Sequence, residues 1–233
     1  MLSDNIKKVR QRIAQAAMKA GRSSNDVRLI AVTKQVDAEA IREAVHLGLT
    51  EFGESRVQAA AGKISNPGSE IFDTGITWHL IGHLQKNKVK TAVELFDLIH
   101  SVDSEELAEL LDKHAGRAGK TQKILLQVKL SDEVSKYGIS KCNIMKMLET
   151  IGDFKNLEIE GLMAIPPYFE DPEMARPYFR ELRHFKEEAE KAGFHLQELS
   201  MGMSNDFEVA IEEGATMVRV GTAIFGERKK EAR

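Results

Sequence analysis

The chain has 233 residues, of which 42% are hydrophobic and 30% are charged, and its formal net charge is -3. This composition is ordinary for a globular protein with one sizeable core and excludes a disordered chain. The slightly acidic balance predicts neither nucleic-acid binding nor attraction to an anionic membrane surface. The single cysteine excludes an internal disulfide, and no apolar stretch reaches the length of a membrane span, so we expect a cytoplasmic protein.

The first predicted element is a helix over residues 4–20, which Gly21 ends. After it, short apolar runs rich in β-branched residues alternate with segments of helical periodicity. The runs that predict strands are 27–34, 51–53, 77–82, 98–102, 124–128, 160–164, 198–201 and 217–221. Residues 104–118 and 172–192 predict amphipathic helices. Two pairs, Asp103 with Glu106 and Asn205 with Glu208, have the spacing of a helix cap and its reciprocal acid.

Strands that alternate with helices indicate parallel βαβ units. Eight such units predict an α/β fold, a (β/α)8 TIM barrel with an extra N-terminal helix. The alternative is an open doubly wound sheet, which usually has a glycine-rich turn after its first strand, and residues 33–37 (TKQVD) contain no glycine. No Pro-, Gly- or Ser-rich linker divides the chain, so we expect residues 1–233 to form a single domain.

Lys34 is the last residue of the first predicted strand, which places its amine at the mouth of the barrel. Ligands and chemistry gather at the carboxyl ends of strands in parallel α/β folds, so this position suits a lysine that forms a Schiff base. A lysine at a strand end is more commonly a solvated cation with a packed stem. The functional interpretation requires an amine that loses its proton near neutral pH, through burial or neighbouring cations.

Two loops near the C-terminus have the small residues and backbone amides that suit an anion such as phosphate. Ser204 and Asn205 lie at a predicted helix start after the seventh strand, and Gly221 and Thr222 lie at the end of the eighth. The common phosphate site of TIM barrels follows strands seven and eight, which favours a phosphate over a pair of tight turns. An amine beside a phosphate site suggests pyridoxal 5'-phosphate (PLP).

Arg219 lies two residues before Gly221, so strand alternation predicts that both face the barrel interior. A buried guanidinium requires a partner, and an interior acid is the structural interpretation. In the functional interpretation, Arg219 donates to the nitrogen of a bound pyridine ring and keeps that nitrogen unprotonated. This contact weakens PLP as an electron sink and favours limited chemistry or none.

Residues 78–88 (WHLIGHLQKNK) carry two histidines four positions apart, as zinc-binding helices do. His79 belongs to a predicted strand, however, so a metal site is disfavoured. Trp78 is assigned to the core. Tyr137 and the turn at 166–168 are candidates for the rim of the pocket.

Taken together, these motifs resemble the pyridoxal phosphate homeostasis protein family, single-domain relatives of the alanine racemase barrel. The resemblance covers nearly the whole chain. It rests on residues 31–34 (AVTK), 52–54 (FGE), 78–88, 100–103 (HSVD), 161–166 (GLMAIP), 199–206 (LSMGMSND) and 218–226 (VRVGTAIFG). Ser55 stands where the family often has Asn, and Thr33 stands where it often has Ser.

The resemblance implies that Lys34 carries PLP as an internal aldimine and that Arg219 faces the pyridine nitrogen. It further implies phosphate contacts from Ser204, Gly221 and Thr222, and a site lined by Ser200 and Met203. The family has no established turnover.

The residues themselves agree with a protein that does not turn over a substrate. Racemisation needs an acid or base on each face of the α-carbon, and no second base is evident beside Lys34. We therefore expect a monomer that buffers PLP or delivers it, with PLP-dependent apoenzymes as candidate recipients. A weak PLP-dependent amino-acid racemase is the alternative, and an aldolase-like Schiff-base enzyme is another.

Overall fold

The structure is a computed structural model that describes residues 1–64, 75–131 and 137–226. Its strands are β1 Arg28–Val32, β2 Glu51–Glu54, β3 Thr77–Leu80, β4 Leu98–Val102, β5 Gln122–Lys129, β6 Ile139–Ser140, β7 Leu157–Met163, β8 Glu198–Met203 and β9 Met217–Val220. Its α-helices are α1 Leu2–Lys19, α2 Ala38–His46, α3 Val57–Ile64, α4 Val89–Leu95, α5 Glu105–Ala118, α6 Ile144–Gly152, α7 Arg176–Lys191, α8 Phe207–Glu212 and α9 Thr222–Phe225.

The strands form a closed parallel barrel. Their order is β4-β3-β2-β1-β9-β8-β7-β5, and the additional pairing of β4 with β5 completes the ring. The two-residue strand β6 pairs with β5 outside this ring and was not predicted from the sequence. The TIM barrel is therefore confirmed, because an open doubly wound sheet would leave β4 and β5 as unpaired edges.

The extra N-terminal helix is also confirmed, with bounds close to those expected. One stripe of α1 is buried at helical spacing, namely Ile6, Val9, Ile13, Ala16 and Ala17. The helix packs against α8 and α9, where Arg12 lies 4.5 Å from the centre of the Phe207 ring. Gly21 follows with φ 68°, a left-handed conformation that ends the helix without strain.

Strand alternation divides the apolar side chains into two layers. The outward-facing ones form one large core with the surrounding helices. The inward-facing ones form a separate cluster inside the barrel: Ile30, Leu98, Leu125, Met163 and Met217. The barrel is filled by side chains, so a ligand is accommodated at its mouth rather than within it.

The end of the first strand differs from the prediction. Strand β1 ends at Val32, and Lys34 lies two residues beyond it in a turn. Thr33 still donates its backbone N–H to Gly53 O at 3.0 Å, but Val36 N already closes back onto Thr33 O at 2.9 Å. Gln35 has φ 62°, which turns the chain away from the sheet.

Both predicted helix caps were displaced by one residue. Helix α5 is capped by Ser104, whose Oγ accepts from Leu107 N at 3.4 Å, and not by Asp103. The cap position of α8 is Asp206 instead of Asn205, and its carboxylate accepts from Met203 N at 2.6 Å. Ser104 has the extended backbone of a cap residue before the first helical turn, and composition does not show which of two neighbouring polar residues adopts it.

The predicted helix over 172–192 is divided in two. A 3-10 turn at Pro172–Ala175 precedes α7, and Asp171 caps that turn by accepting from Glu173 N at 3.0 Å. Proline at the first position of such a turn is favourable because its missing N–H would have no partner there.

Close packing of two barrel strands depends on Gly161. This residue pairs with Glu198 across β7 and β8, and a Cβ at Gly161 would lie 1.9 Å from the Glu198 carbonyl oxygen. We expect Gly161→Ala to lower the free energy of unfolding by about 1–3 kcal/mol, because the strands must separate. Urea denaturation measures this loss.

Gly152→Ala is the matched control, since a Cβ at Gly152 meets no atom within 4 Å. Alanine there is expected to leave stability unchanged or slightly raised, through its higher helix propensity. Equal stability of the two variants would contradict the packing argument.

Candidate functional site

The amine of Lys34 has no partner at the mouth of the barrel. Lys34 is half-buried, and its side chain makes no hydrogen bond or ion pair with any described residue. The preceding residue is held firmly: Thr33 Oγ1 donates to Glu54 Oε1 at 2.6 Å, and Lys63 Nζ donates to both Thr33 O and Glu54 Oε1 at 2.5 Å. The structure thus anchors the backbone before Lys34 and leaves its amine available.

The two predicted phosphate loops lie in contact. Ser204 Oγ accepts from Gly221 N at 3.2 Å and from Ala223 N at 3.5 Å, which joins the loop after β8 to the loop after β9. A Cβ on Gly221 would contact Val32 at 3.4 Å, so this corner adjoins the end of β1. The structure therefore brings Ser204, Gly221 and Thr222 near the turn that carries Lys34.

An irregularity at Gly202, near the end of β8, separates the remaining predicted residues. Gly202 has φ 90°, and a Cβ there would lie 2.6 Å from Ala210 Cβ, so only glycine fits. Before it, Ser200 is fully buried in the barrel interior, whereas Met203 after it is 37% exposed at the mouth. Asn205 points elsewhere and donates to Phe169 O at 3.0 Å.

Arg219 faces the interior as strand alternation predicted, and it is only 3% exposed. Its guanidinium donates to Ser200 Oγ at 2.5 Å and to Ala164 O at 2.9 Å. The interior acid expected as its partner is not found, because no carboxylate of the described residues forms an ion pair with it. Three of its five N–H groups form no hydrogen bond with a described residue.

Burial lowers the pKa of Arg219 to about 10, although the charge of Asp206 opposes the shift. The guanidinium still carries its proton at neutral pH. A buried cation that forms no ion pair with a described residue is costly.

Sequence reasoning missed a polar chain that leads to Arg219 through the barrel. His79 Nε2 lies 2.6 Å from Glu51 Oε2, and His79 Nδ1 lies 2.9 Å from His100 Nε2. His100 Nδ1 then lies 2.8 Å from Ser200 Oγ, the oxygen that accepts from Arg219. Polar residues at inward-facing positions of several strands were the available signal, but which of them meet depends on barrel closure.

Two members of this series of hydrogen-bonded side chains, Glu51 and His100, differ in charge. Burial raises the pKa of Glu51, but hydrogen bonds from His79 and from the charged Arg28 dominate and lower it to about 2. Burial, together with the neighbouring charges of Arg219 and Arg28, holds the pKa of His100 well below its usual range. Glu51 is therefore a carboxylate and His100 a neutral imidazole at pH 7.

Tyr137, a candidate for the rim of the pocket, lines a recess near the barrel mouth. The recess has a volume of about 180 Å³ and is lined by Ile81, Gly82, His83, Gln127, Val128, Lys129, Leu130, Tyr137 and Ile165. The rings of His83 and Tyr137 stack with their centres 3.7 Å apart. The predicted rim turn at 166–168 lines no part of this recess, and Tyr168 is exposed.

His79 and His83 have separate partners and do not form a metal-binding pair. Among residues 1–64, 75–131 and 137–226, no group of three His, Cys, Asp or Glu side chains is arranged to hold a metal. Trp78 is buried in the core, as expected.

Comparison with known proteins agrees with this geometry. The family model of the alanine racemase N-terminal domain matches residues 3–229. A pyridoxal phosphate homeostasis protein of Aquifex aeolicus is 43% identical over 227 residues, which are 97% of this chain and 98% of that protein. The chain belongs to the pyridoxal phosphate homeostasis protein family.

The fold of this family member is shared by a solved relative. PipY of Synechococcus elongatus PCC7942, solved with PLP bound, is 39% identical and has a TM-score of 0.84, with 97% of this chain and 100% of that chain covered. The same protein without PLP has a TM-score of 0.86 at the same coverage. In the described part of this chain, none of the helices combines the length and hydropathy needed to span a bilayer.

Proposed function

We propose that this chain binds PLP through a Schiff base with Lys34 and acts in PLP homeostasis. The proposal is carried by one arrangement: a lysine amine at the barrel mouth and a buried arginine below it, neither of which forms an ion pair with a described residue. Arg219 pairs with Ile30 across β1 and β9, and Ile30 precedes Lys34 by four residues in the chain. Family membership and the PLP-bound PipY structure support the same ligand.

The residues at the mouth fit the functional groups of PLP. The aldehyde condenses with a neutral amine and releases water, which is the chemistry that the cofactor supplies. We assign the phosphate to the amides and hydroxyls of Ser204, Gly221 and Thr222, where Ser204 already draws backbone amides together. Arg219 has spare donors for the pyridine nitrogen, Ser200 supports the guanidinium from below, and Met203 lines the opening.

We further propose that the protein holds and delivers PLP without turnover. An arginine at the pyridine nitrogen keeps that nitrogen unprotonated and reduces stabilisation of a carbanion. In this proposal residues 1–233 act as one cytoplasmic, monomeric domain, and PLP-dependent apoenzymes are the recipients. The end of that domain, residues 227–233, lies outside the described residues.

Turnover is tested with alanine and serine enantiomers and added PLP. We expect no interconversion of the enantiomers beyond that of free PLP. Racemisation that is lost in Lys34→Ala would overturn the proposal of a non-enzyme and favour a racemase.

The binding proposal is tested by titrating the purified protein with PLP and recording its absorption spectrum. Borohydride reduction then fixes the adduct, and peptide mass mapping locates it. We expect a visible absorption band and a single modified lysine, Lys34. Modification of other lysines with Lys34 unmodified would refute the site.

Ser204 gives a separate test of the phosphate assignment. We expect Ser204→Ala to weaken PLP binding by about tenfold, the effect of one hydrogen bond to a charged group. Binding of pyridoxal, which has no phosphate, should change little. Equilibrium dialysis of both ligands measures the difference, with Ser140→Ala, at an exposed serine, as the control. An equal loss for both ligands would place the phosphate elsewhere.

A further inference from the structure

A continuous chain of polar side chains crosses the interior of the barrel and ends at Arg219. It begins at Glu51, passes through His79 and His100, and reaches Ser200, which accepts from Arg219. The two imidazoles and the serine are completely buried. His100 belongs to β4 and Ser200 to β8, strands that β5 and β7 separate in the ring, so this bond spans the lumen.

The hydrogen-bonding capacity of each group determines the direction of the chain. Glu51 is an acceptor only, so His79 carries a proton on Nε2, and a neutral His79 then accepts at Nδ1. His100 must then donate from Nε2, and since it is neutral, its Nδ1 has no proton. Ser200 therefore donates its hydroxyl proton to His100 Nδ1.

Because Ser200 donates its proton to His100, only the lone pairs of its oxygen point toward Arg219. A hydroxyl that donates in one direction becomes a better acceptor in the other, so the short contact of 2.5 Å from Arg219 is reinforced. The second bond, from Arg219 to Ala164 O, fixes the plane of the guanidinium. The opposite direction requires His79 to carry protons on both nitrogens, so that His79 Nδ1 donates to His100 Nε2 and His100 Nδ1 donates to Ser200.

We propose that His79 and His100 are positioning residues for the PLP site. With both protons on Nε2, they hold Ser200 as an acceptor and thereby fix Arg219 beneath the ring of the cofactor. The effect on PLP rests on the proposed function. The arrangement of protons does not depend on it and is present in the protein without ligand.

The arrangement of protons is measured on the unliganded protein by nitrogen-15 NMR of its histidine side chains at pH 7. We expect both His79 and His100 to show the pattern of the Nε2–H tautomer. His100 protonated on Nδ1 would overturn the proposal, whatever PLP does.

Two variants of His100 separate positioning from packing. In His100→Asn, the side-chain oxygen can take the place of Nδ1 and accept from Ser200, whereas His100→Gln reaches toward His79 and loses the acceptor at that place. We expect PLP dissociation to be about tenfold faster in His100→Gln, as for one lost hydrogen bond, and close to the native rate in His100→Asn. The Arg219 side-chain resonances should shift only in His100→Gln.

His184→Gln on α7 is the control for loss of a histidine, because that side chain is exposed and lies 3.4 Å from Glu188. Equal effects in the two His100 variants would show that the hydrogen-bonded side chains only maintain packing, and would overturn the proposal. If neither His100 variant folds, Ser200→Ala tests the same hydrogen bond between Ser200 and His100. It should move the His100 Nδ1 resonance to that of an unbonded acceptor, and an unchanged resonance would overturn the proposal.

Failure of the PLP proposal has a different signature. Native protein that forms no borohydride-stable adduct at Lys34 would refute the cofactor site, while the tautomers would still be read from the unliganded protein. Native protein that forms the adduct, but with His100 in the other tautomer, would refute the positioning role alone.

Discussion

Lys34→Ala is expected to abolish covalent attachment of PLP. The amine is the only part of the site that forms a bond with the aldehyde, and Lys34 has no partner among the described residues whose loss would disturb the fold. The absorption band and the borohydride-stable mass increase should both disappear. Because the side chain is half-buried and unpaired, the free energy of unfolding without ligand should change by less than about 0.5 kcal/mol.

The matched control is Lys90→Ala, which removes an exposed lysine of α4 that lies 4.0 Å from Glu94. This variant should form the adduct as the native protein does. Lys34→Ala should still retain weaker, reversible PLP binding through the phosphate loops and Arg219. A full-stoichiometry adduct in Lys34→Ala would identify another lysine as the attachment site.

Glu51→Gln is expected to cause the largest loss of stability. The folded-state pKa of Glu51 is about 2 against an ordinary value of 4.5, and the side chain is 21% exposed. A shift of this size corresponds to about 3 kcal/mol of stabilisation. Glutamine keeps the shape of the side chain but removes the charge that Arg28 and His79 face.

The pH dependence gives the sign of this effect. Because the folded-state pKa is depressed, the stabilisation is complete above pH 4.5 and is lost as the pH falls toward 2. Urea unfolding of native protein and Glu51→Gln should therefore differ at pH 6 and converge near pH 2. A difference that stays constant with pH would assign the loss to packing rather than charge.

The control for Glu51→Gln is Glu106→Gln, which breaks an exposed ion pair with Lys86 on the surface. Surface pairs contribute little because water and salt screen them, so this variant should be nearly as stable as the native protein.

The strands of the barrel were predicted well where burial and β-branching coincide. Residues 98–102 were predicted as a strand and form β4 with the same bounds. The first strand was predicted to end two residues too late, because Thr33 continues the β-branched pattern of the strand. Its end is set by the turn at Gln35, whose positive φ no propensity indicates.

The short strand Ile139–Ser140 was missed for a different reason. Two residues carry no periodicity, and the pairing exists only because β5 extends past the barrel rim. The caps at Ser104 and Asp206 were missed by one residue, since neighbouring polar side chains compete for each position.

The sequence alone determined the kind of protein. Alternating strand and helix patterns predicted the barrel, and Lys34 with the motifs around Ser204, Arg219 and Gly221 predicted a PLP-binding family member. These inferences succeed because they depend on local periodicity and on residue types that lie near one another in the chain.

Only the tertiary structure decided how the interior supports that site. Glu51, His79, His100 and Ser200 are far apart in sequence, and none of them alone indicates a partner. Closure of the barrel by the β4–β5 pairing brings them together across a lumen that excludes water. Buried polar groups in that interior need hydrogen-bond partners, so the ring of strands selects which residues meet, and Arg219 forms no ion pair with any described residue.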